Sequence, residues 1–140
     1  MPLMYFDIVR GRSPDQVRAL LDSTQAATVE AFGVPERDRY QVVTEHSPGE
    51  MITLDHGLGI DRSENIVLVH MVNRRGKRTQ AQKEKLYALL AQSLKRDSGL
   101  DPADLVISIT ENESEDWSLG YGKQQFTNGD LDPETSHPRK

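Results

Sequence analysis

An internal repeat constrains this sequence more than any other feature. When the chain is shifted against itself by 66 residues without gaps, seven positions carry the same residue in both halves: Arg12/Arg78, Gln16/Gln82, Leu20/Leu86, Gly33/Gly99, Asp38/Asp104, Thr44/Thr110 and Glu45/Glu111. The predicted secondary-structure elements also agree between the halves. We therefore expect one supersecondary unit to occur twice.

Each half has the pattern of a strand, a helix and a second strand. Apolar runs at 3–9 and 65–72 predict the first strands, and the second run is so continuously apolar that it is typical of a strand buried on both faces. The runs at 39–45 and 104–111 predict the second strands. The helices between them are long enough to be crossovers between parallel strands.

The ends of both helices carry capping residues. Capping-box patterns at 13–16 and 79–82 predict where the helices begin, and Gly33 and Gly99 predict where they end. A stripe of apolar residues on each helix is expected to face the sheet: Val17, Leu20, Leu21, Ala27 and Phe32 in the first helix, and Leu86, Leu89, Leu90 and Leu94 in the second.

The sequence thus predicts an α/β (α+β) fold, a tandem β-α-β repeat whose four strands form one sheet with both helices on one face. The repeats occupy 2–47 and 65–113 of a single domain at 1–131, and the polar segment 132–140 is expected to be a tail. Short hairpins are expected in addition, one of them in the glycine-containing segment 116–122. The other face of the sheet is bare, so we expect an oligomer in which further copies cover it.

Composition excludes several classes of function. The chain has 17 Lys and Arg against 22 Asp and Glu, a net charge of −5, which argues against a general electrostatic surface for nucleic acid. Without cysteine it has no thiolate metal ligand and no cysteine nucleophile. It has neither an apolar run of about 18 residues for a membrane span nor a signal-peptide pattern. We expect a soluble, cytoplasmic protein that binds neither nucleic acid nor a membrane.

No metal and no cofactor is predicted. The four histidines have no metal-ligand spacing, and His70, inside an apolar strand, is expected to be a core residue with a satisfied hydrogen bond; the histidines are His46, His56, His70 and His137. The glycines near 57–59 and 120–122 follow no phosphate-loop pattern, so a nucleotide site is not expected.

Pro2 is the first candidate for chemistry. It aligns with Leu68 in the 66-residue shift, at the start of a predicted core strand. After removal of Met1, Pro2 has a free secondary amine, which burial turns into a base or nucleophile and a nearby acidic group keeps protonated as an acid. A secondary amine also forms an iminium with aldehydes, which stabilises a neighbouring carbanion. The alternative is that Pro2 is inert, as most residues after an initiator methionine are.

A basic cluster is the second candidate. Four cations, Arg74, Arg75, Lys77 and Arg78, follow the second apolar strand directly. In an acidic protein they predict a site for a carboxylate, which arginine binds bidentately; the alternative is a solvated loop. Pro2 and this cluster come from opposite ends of parallel repeat strands. A shared site therefore requires antiparallel packing of the two repeats or a neighbouring subunit.

Three further residues are weaker candidates. Asp38 lies just before a second strand, where it can orient a water or a protonated amine; its repeat mate Asp104 makes a structural cap an equal alternative. The aromatic side chains of Trp117 and Phe126 either form the wall of a pocket or fill an interface.

Taken together, these features resemble the tautomerase superfamily, whose members use an amino-terminal proline as the catalytic group. The resemblance covers residues 2–131 and is closest to its malonate semialdehyde decarboxylase family. It is carried by the MPL start, the two β-α-β units and four motifs: DRYQ at 38–41, GLG at 57–59, ITEN at 109–112 and DWSLGYGKQQF at 116–126.

The resemblance implies a homotrimer that acts on a small carboxylate substrate without a cofactor. The implied reaction is decarboxylation of a 3-oxo acid, malonate semialdehyde, to acetaldehyde and CO₂. The same site also suits two other reactions: hydration or dehalogenation of unsaturated acids of the 3-haloacrylate type, and enol–keto tautomerisation. Decarboxylation and hydration or dehalogenation need a largely cationic Pro2, whereas tautomerisation needs a largely neutral one.

The resemblance also implies roles for individual residues. Pro2 is the catalytic amine, and Asp38 assists it or a water. Arg74 and Arg78 bind and orient the substrate carboxylate. The apolar wall consists of Trp117, Leu119, Phe126 and Leu131.

Two departures from the family pattern affect these assignments. The loop NRRGKRTQ is longer than that of the family, so either Arg75 or Arg78 is the second carboxylate-binding arginine. Leu119 stands where the family pattern has Phe, which widens the predicted pocket.

Overall fold

The computed structural model describes residues 2–55 and 57–131. Met1, His56, His137 and the predicted tail at 132–140 lie outside the described residues. The elements in chain order are β1 (Leu3–Val9), α1 (Pro14–Phe32), β2 (Tyr40–His46), β3 (Val67–Arg74), α2 (Gln80–Ser98) and β4 (Leu105–Asn112). Short 3₁₀ turns lie at Pro102–Asp104 and Ser114–Asp116. None of the described helices is long and apolar enough to cross a membrane.

The two helices begin and end as their capping residues predict. The Gln16 N–H donates to Ser13 Oγ at 3.2 Å and the Ser13 N–H donates to Gln16 Oε1 at 2.8 Å. Thr79 and Gln82 form the same pair of bonds at 3.2 and 2.9 Å. The C-cap residues Gly33 and Gly99 adopt left-handed φ angles of 68° and 70°, which glycine adopts without strain. α1 and α2 are therefore related by the 66-residue shift at both ends.

The four strands form one mixed sheet in the order β2-β1-β3-β4. Each repeat contributes a parallel pair, β1 with β2 and β3 with β4, and the two repeats meet through the antiparallel pair β1–β3. α1 and α2 pack against each other and bury one face of the sheet. The predicted fold class is confirmed, and the repeats pack in the antiparallel way that a shared site within one chain requires.

The hydrophobic core lies between the helices and this face of the sheet. Its fully buried side chains include Met4, Phe6 and Ile8 of β1, Val67, Val69 and Met71 of β3, Leu20 of α1, and Leu86, Leu90 and Leu94 of α2. The opposite face, which we call the bare face, exposes Tyr5, Tyr40 and Val42 to 39%, 48% and 47%. Large apolar side chains at this level of exposure are consistent with a surface that a partner covers.

The two central strands depart from the 66-residue shift. Because 66 is an even number, the shift predicts that even-numbered residues point into the core in both strands. This is true of β1, but in β3 the odd-numbered residues point into the core. The connection from Arg74 to the N-cap Thr79 is one residue longer than that from Val9 to Ser13. This extra residue moves β3 by one position, so the alignment of Pro2 with Leu68 is off by one.

Because of the same displacement, the prediction that His70 is a core residue is wrong, whereas its ring has the predicted hydrogen-bond partner. His70 is exposed on the bare face, where its ring stacks on Tyr5 at a centroid distance of 6.3 Å. Its Nε2 atom lies 2.9 Å from Thr110 Oγ1. Because apolar residues at 66–69, 71 and 72 occupy both faces of this strand, the sequence does not show which of them face the helices.

The hairpin predicted for 116–122 does not form, and the described residues after β4 contain no strand. Gly120, Tyr121 and Gly122 all have positive φ angles, 124°, 59° and 68°, which curl the chain. The Gln125 side chain accepts the Leu119 N–H at 2.9 Å and donates to the Gly120 carbonyl at 2.9 Å. These bonds replace the ladder that a hairpin requires.

Candidate active site

The antiparallel pair places Pro2 beside the basic cluster. Pro2 is buried directly before β1, and the β1–β3 register ends with Leu3 opposite Val72. One step further along both strands, Pro2 meets the end of β3, which continues through Asn73 to Arg74. The two candidates for chemistry thus lie at the same end of the sheet within one chain.

Asp38 interacts electrostatically with two of the predicted arginines. Burial raises the pKa of the Asp38 carboxyl, and the positive charges of the amino terminus, Arg78 and Arg74 oppose this rise. Burial lowers the pKa of Arg74, and the Asp38 charge raises it. Burial also lowers the pKa of Arg78, with Arg74 acting in the same direction and Asp38 against it. The charge of Asp38 therefore acts on both arginines, and this electrostatic link is the reason for grouping the three residues.

Arg74 is a buried cation whose side chain is arranged to bind an anion. It is 8% exposed, and its Cζ atom lies 3.8 Å from the centroid of the Phe126 ring. Its Nε and Nη1 atoms are buried without a hydrogen-bond partner among the described residues. The ring covers one face of the guanidinium and leaves the N–H groups in its plane. Buried donors without partners cost free energy, which an anionic ligand would recover.

Arg78 belongs to the same group of charges. It is half-buried, and its Cζ atom lies 5.0 Å from the centroid of the Phe32 ring at the end of α1. Its Nη1 atom donates to the Lys77 carbonyl at 2.7 Å. Its position directly before the N-cap Thr79 ties it to the start of α2.

Arg75 lies outside this group. Its side chain is 62% exposed, and its Nε atom donates to Glu113 Oε1 at 2.7 Å. Of the two alternatives for a second arginine beside Arg74, the geometry therefore favours Arg78.

The predicted apolar wall adjoins Arg74. Trp117 is 8% exposed, and its indole Nε1 donates to Asn112 Oδ1 at 2.6 Å. Its ring meets Phe126 edge to face, with centroids 6.2 Å apart and planes at 89°. Phe126 in turn stacks on Arg74, so aromatic contacts connect the indole to the guanidinium.

A cavity of about 380 Å³ lies along this wall. Trp117 and Leu119, two of the four predicted wall residues, line it. Phe126 lies beneath Arg74, and Leu131 is half-buried with its N–H donated to the Gln125 carbonyl at 3.0 Å. The residues that line the cavity are Leu3, Tyr40, Val72, Asn112, Asp116, Trp117, Ser118 and Leu119.

The repeat mate of Asp38 has a structural role at the other end of the sheet. Asp104 is 3% exposed and accepts hydrogen bonds from the N–H and Oγ of Ser63 at 2.7 and 2.5 Å. Burial lowers the pKa of Arg12, the mate of Arg78, and Asp104 opposes this; Arg12 also donates to the Asn65 carbonyl at 2.7 Å. An aspartate–arginine pair therefore occurs in each repeat, Asp38 with Arg78 and Asp104 with Arg12. In the second pair, Ser63 and Asn65 from the segment before β3 bind the aspartate and the arginine.

Sequence reasoning missed three residues of the site. Asn112 holds the Trp117 indole, Phe32 covers Arg78, and Asn73 is 3% exposed with its Nδ2 atom unpartnered among the described residues. Asn112 lies in the ITEN motif, but its contact with the indole depends on the turn at Ser114–Asp116. The sequence pattern of the first helix explains Phe32 fully as a core residue.

The fold and this arrangement agree with comparisons to known families. Two family models, both described as tautomerase enzyme, match the chain at residues 38–120 and 2–61, and the first match covers more than half of its length. The chain belongs to the tautomerase superfamily.

Individual relatives extend over nearly the whole chain. The protein named probable tautomerase YrdN, from Bacillus subtilis (strain 168), is 43% identical over 131 residues, 94% of this chain and 100% of the relative. A solved malonate semialdehyde decarboxylase is 45% identical, with a TM-score of 0.87 over 92% of this chain and 98% of that one. A second one, inhibited by 3-bromopropiolate, is 39% identical, with a TM-score of 0.87 over 92% and 97%.

Proposed function

We propose that this protein is a cofactor-free decarboxylase of a small 3-oxo acid and converts malonate semialdehyde to acetaldehyde and CO₂. The observation that carries the proposal is Arg74, a buried guanidinium stacked on Phe126 with two unpartnered nitrogens, at the end of the sheet where Pro2 lies. The similarity to two malonate semialdehyde decarboxylases supports the choice of substrate.

In the proposed reaction, Arg74 and Arg78 hold the carboxylate so that its bond to C2 is perpendicular to the plane of the carbonyl group. Pro2, freed by removal of Met1, either polarises the carbonyl as an ammonium or replaces its oxygen as an iminium. When the C1–C2 bond breaks, its electron pair moves toward the carbonyl carbon and CO₂ leaves. A proton then adds to C2, and in the iminium route water releases acetaldehyde from Pro2.

The remaining residues of the site assist this step. Asp38, close to both arginines, assists Pro2 or a water. The wall of Trp117, Leu119, Phe126 and Leu131 disfavours the charged carboxylate and favours neutral CO₂ as it forms.

The proposed working form is a homotrimer in the cytoplasm. The bare face carries three large apolar side chains, Tyr5, Tyr40 and Val42, each more than a third exposed in a single chain. Covering them with further copies removes apolar surface from water. Tyr40 also lines the cavity, so an adjacent subunit lies close to the site in such an assembly.

The raised pKa of Asp38 favours a second candidate, hydration or dehalogenation of a 3-haloacrylate-type acid. A carboxylate of raised pKa is a stronger base for activating water, and Pro2 would protonate the adjacent carbon. The first solved relative, a malonate semialdehyde decarboxylase, has both decarboxylase and hydratase activities. The name of the Bacillus relative, probable tautomerase, matches the third reaction, which needs a neutral Pro2.

Incubation with malonate semialdehyde tests the proposal, with product followed by proton NMR on protein confirmed by mass to lack Met1. We expect acetaldehyde well above background. Arg74→Ala should lower kcat/KM by about a hundredfold, because a charge-assisted bidentate contact is lost. Arg75→Ala, which removes a neighbouring surface arginine, should stay within about twofold.

Two results would contradict the proposal: no acetaldehyde above background, or equal rates for Arg74→Ala and the wild type. Turnover of 3-haloacrylates or phenylpyruvate by the same preparation would then favour hydration or tautomerisation. A largely neutral Pro2 amine at the working pH would also point to tautomerisation.

A further inference from the structure

We infer that Asn112 is a positioning residue that fixes the apolar wall and, through it, Arg74, and so sets the affinity of the site for its carboxylate ligand. The inference rests on the proposed function of the site. Asn112 is the last residue of β4 and lies opposite Arg74 in the β3–β4 register. It therefore lies at the junction of the strand that carries the arginine and the segment that forms the wall.

Asn112 is bonded to both parts of the site. Its side-chain Oδ1 accepts the Trp117 indole N–H at 2.6 Å, and its backbone carbonyl accepts the Arg75 N–H at 2.5 Å. The first bond orients the wall, and the second holds the start of the arginine loop. An indole nitrogen only donates, so the side-chain atom of Asn112 that faces it has to be an acceptor.

The contacts continue from the indole to the guanidinium. Trp117 meets the Phe126 ring at 6.2 Å, and Phe126 stacks on the Arg74 guanidinium at 3.8 Å. Trp117 is 8% exposed, so an indole N–H that lost its acceptor would be left unpaired in a buried place. The ring would turn toward another partner, and Phe126 and Arg74 would lose the orientation that suits a carboxylate.

Asn112 acts on binding rather than on bond cleavage in this scheme. Pro2 precedes β1 and Asp38 precedes β2, whereas the side-chain contact of Asn112 leads to Trp117 and from there to Phe126 and Arg74. Loss of the Asn112 side-chain bond should therefore raise KM more than it lowers kcat.

The test uses Trp117, the single tryptophan of the chain, as a fluorescent reporter. The ligand is 3-hydroxypropanoate, which has a carboxylate but no carbonyl group and cannot decarboxylate. Asn112→Leu should shift the emission maximum to longer wavelength and raise the Kd of 3-hydroxypropanoate and the KM about tenfold, with kcat within about threefold. Asn112→Asp, which keeps an acceptor, should keep the wild-type emission maximum.

Thr110→Val is the matched control, since it removes a side-chain hydrogen bond from the same strand and face without touching Trp117. It should leave emission and Kd unchanged. Trp117→Phe breaks the same bond from the other side and decides the matter if Asn112→Leu does not fold. By calorimetry it should also raise Kd about tenfold, and adding Asn112→Leu to it should cause no further loss.

The inference would be overturned if Asn112→Leu had the wild-type emission maximum and Kd, or if Trp117→Phe had an unchanged Kd. It would also be overturned if the increases in Kd of the two single variants multiplied in the double variant. The proposed function fails separately. Absence of turnover together with Asn112-dependent binding of 3-hydroxypropanoate contradicts decarboxylation alone, whereas turnover with binding insensitive to Asn112 contradicts this inference alone.

Discussion

The guanidinium carbon of Arg74 lies 3.8 Å from the centre of the Phe126 ring, close enough for a cation–π contact. Because Arg74 is buried, the aromatic face replaces part of the water that the cation has lost. The stacking also fixes the plane of the guanidinium, and with it the directions in which its N–H groups donate. In the proposed site, Phe126 thus supports carboxylate recognition in addition to forming part of the apolar wall.

Phe126→Leu should weaken binding of 3-hydroxypropanoate about tenfold, because the cation loses its aromatic partner while the volume stays largely filled. Titration of Trp117 emission measures the change. Tyr87→Leu, which removes an aromatic ring from the exposed surface of α2, is the control and should bind as the wild type does. Equal Kd values for Phe126→Leu and the wild type would show that the stacking does not contribute to recognition.

Asp38→Asn should change stability in a pH-dependent way. Burial raises the pKa of Asp38, so the folded state favours the protonated form. This favourable contribution is complete below the ordinary pKa of 3.8 and is lost as the pH rises through the raised value. Asparagine does not titrate, so the free energy of unfolding of the variant should gain on that of the wild type as the pH rises.

Urea unfolding of both proteins at a series of pH values from about 3.5 to about 8 checks this prediction. A free energy of unfolding of the variant that falls relative to that of the wild type as the pH rises would contradict a raised pKa for Asp38. The variant should also lose decarboxylase activity, because asparagine cannot replace the carboxylate that assists Pro2 or a water in the proposed reaction.

Asp104→Ala provides the contrast with Asp38. Both oxygens of Asp104 accept hydrogen bonds from Ser63, and the carboxyl is almost fully buried. Losing these bonds should lower the free energy of unfolding by about 2–3 kcal/mol. The kcat/KM of the folded protein should not change, since Asp104 lies at the other end of the sheet. Urea unfolding and NMR kinetics together distinguish this result from a role in the site.

The helices could be predicted to the residue because their limits are local. Each capping box involves residues three positions apart, and each C-cap glycine adopts the left-handed backbone conformation without strain. The order of the strands and the antiparallel meeting of the repeats involve residues far apart in sequence. The repeat pattern left open whether the two repeats pack antiparallel within one chain or a neighbouring subunit brings Pro2 and the basic cluster together.

For a related reason, the sequence could not predict which residues of β3 point into the core or how the surroundings of Arg75 and Arg78 differ. Six of the eight residues at 65–72 are apolar, so the one-residue extension of the following loop is not visible in the hydrophobic pattern, and the sequence predicts the wrong face for His70. That same loop contains Arg75 and Arg78. Only the partner of each, Glu113 or Asp38, separates them, and those partners come from other elements.

The two N-caps offer a matched pair of variants. Ser13→Ala and Thr79→Ala remove equivalent capping bonds, and each should lower the free energy of unfolding by about 1 kcal/mol. Only Thr79 follows an arginine of the proposed site, Arg78, so only Thr79→Ala should raise the KM for malonate semialdehyde, by about threefold. Kinetics by NMR and unfolding in urea check both parts. Equal KM values for the two variants would indicate that the start of α2 does not position Arg78.

The bare face predicts how assembly can be disrupted. Val42, Tyr5 and His70 lie side by side in the register across three strands, and Val42 is 47% exposed. If further copies cover this row, Val42→Glu buries a charge without a partner, at a cost that exceeds the gain from apolar contact. Light scattering should give three times the chain mass of 15.8 kDa for the wild type and one chain mass for the variant. The control variant Ala88→Glu, on the exposed surface of α2, should remain assembled. A wild type with the mass of one chain, or a Val42→Glu variant that assembles as the wild type does, would contradict a trimer built on this face.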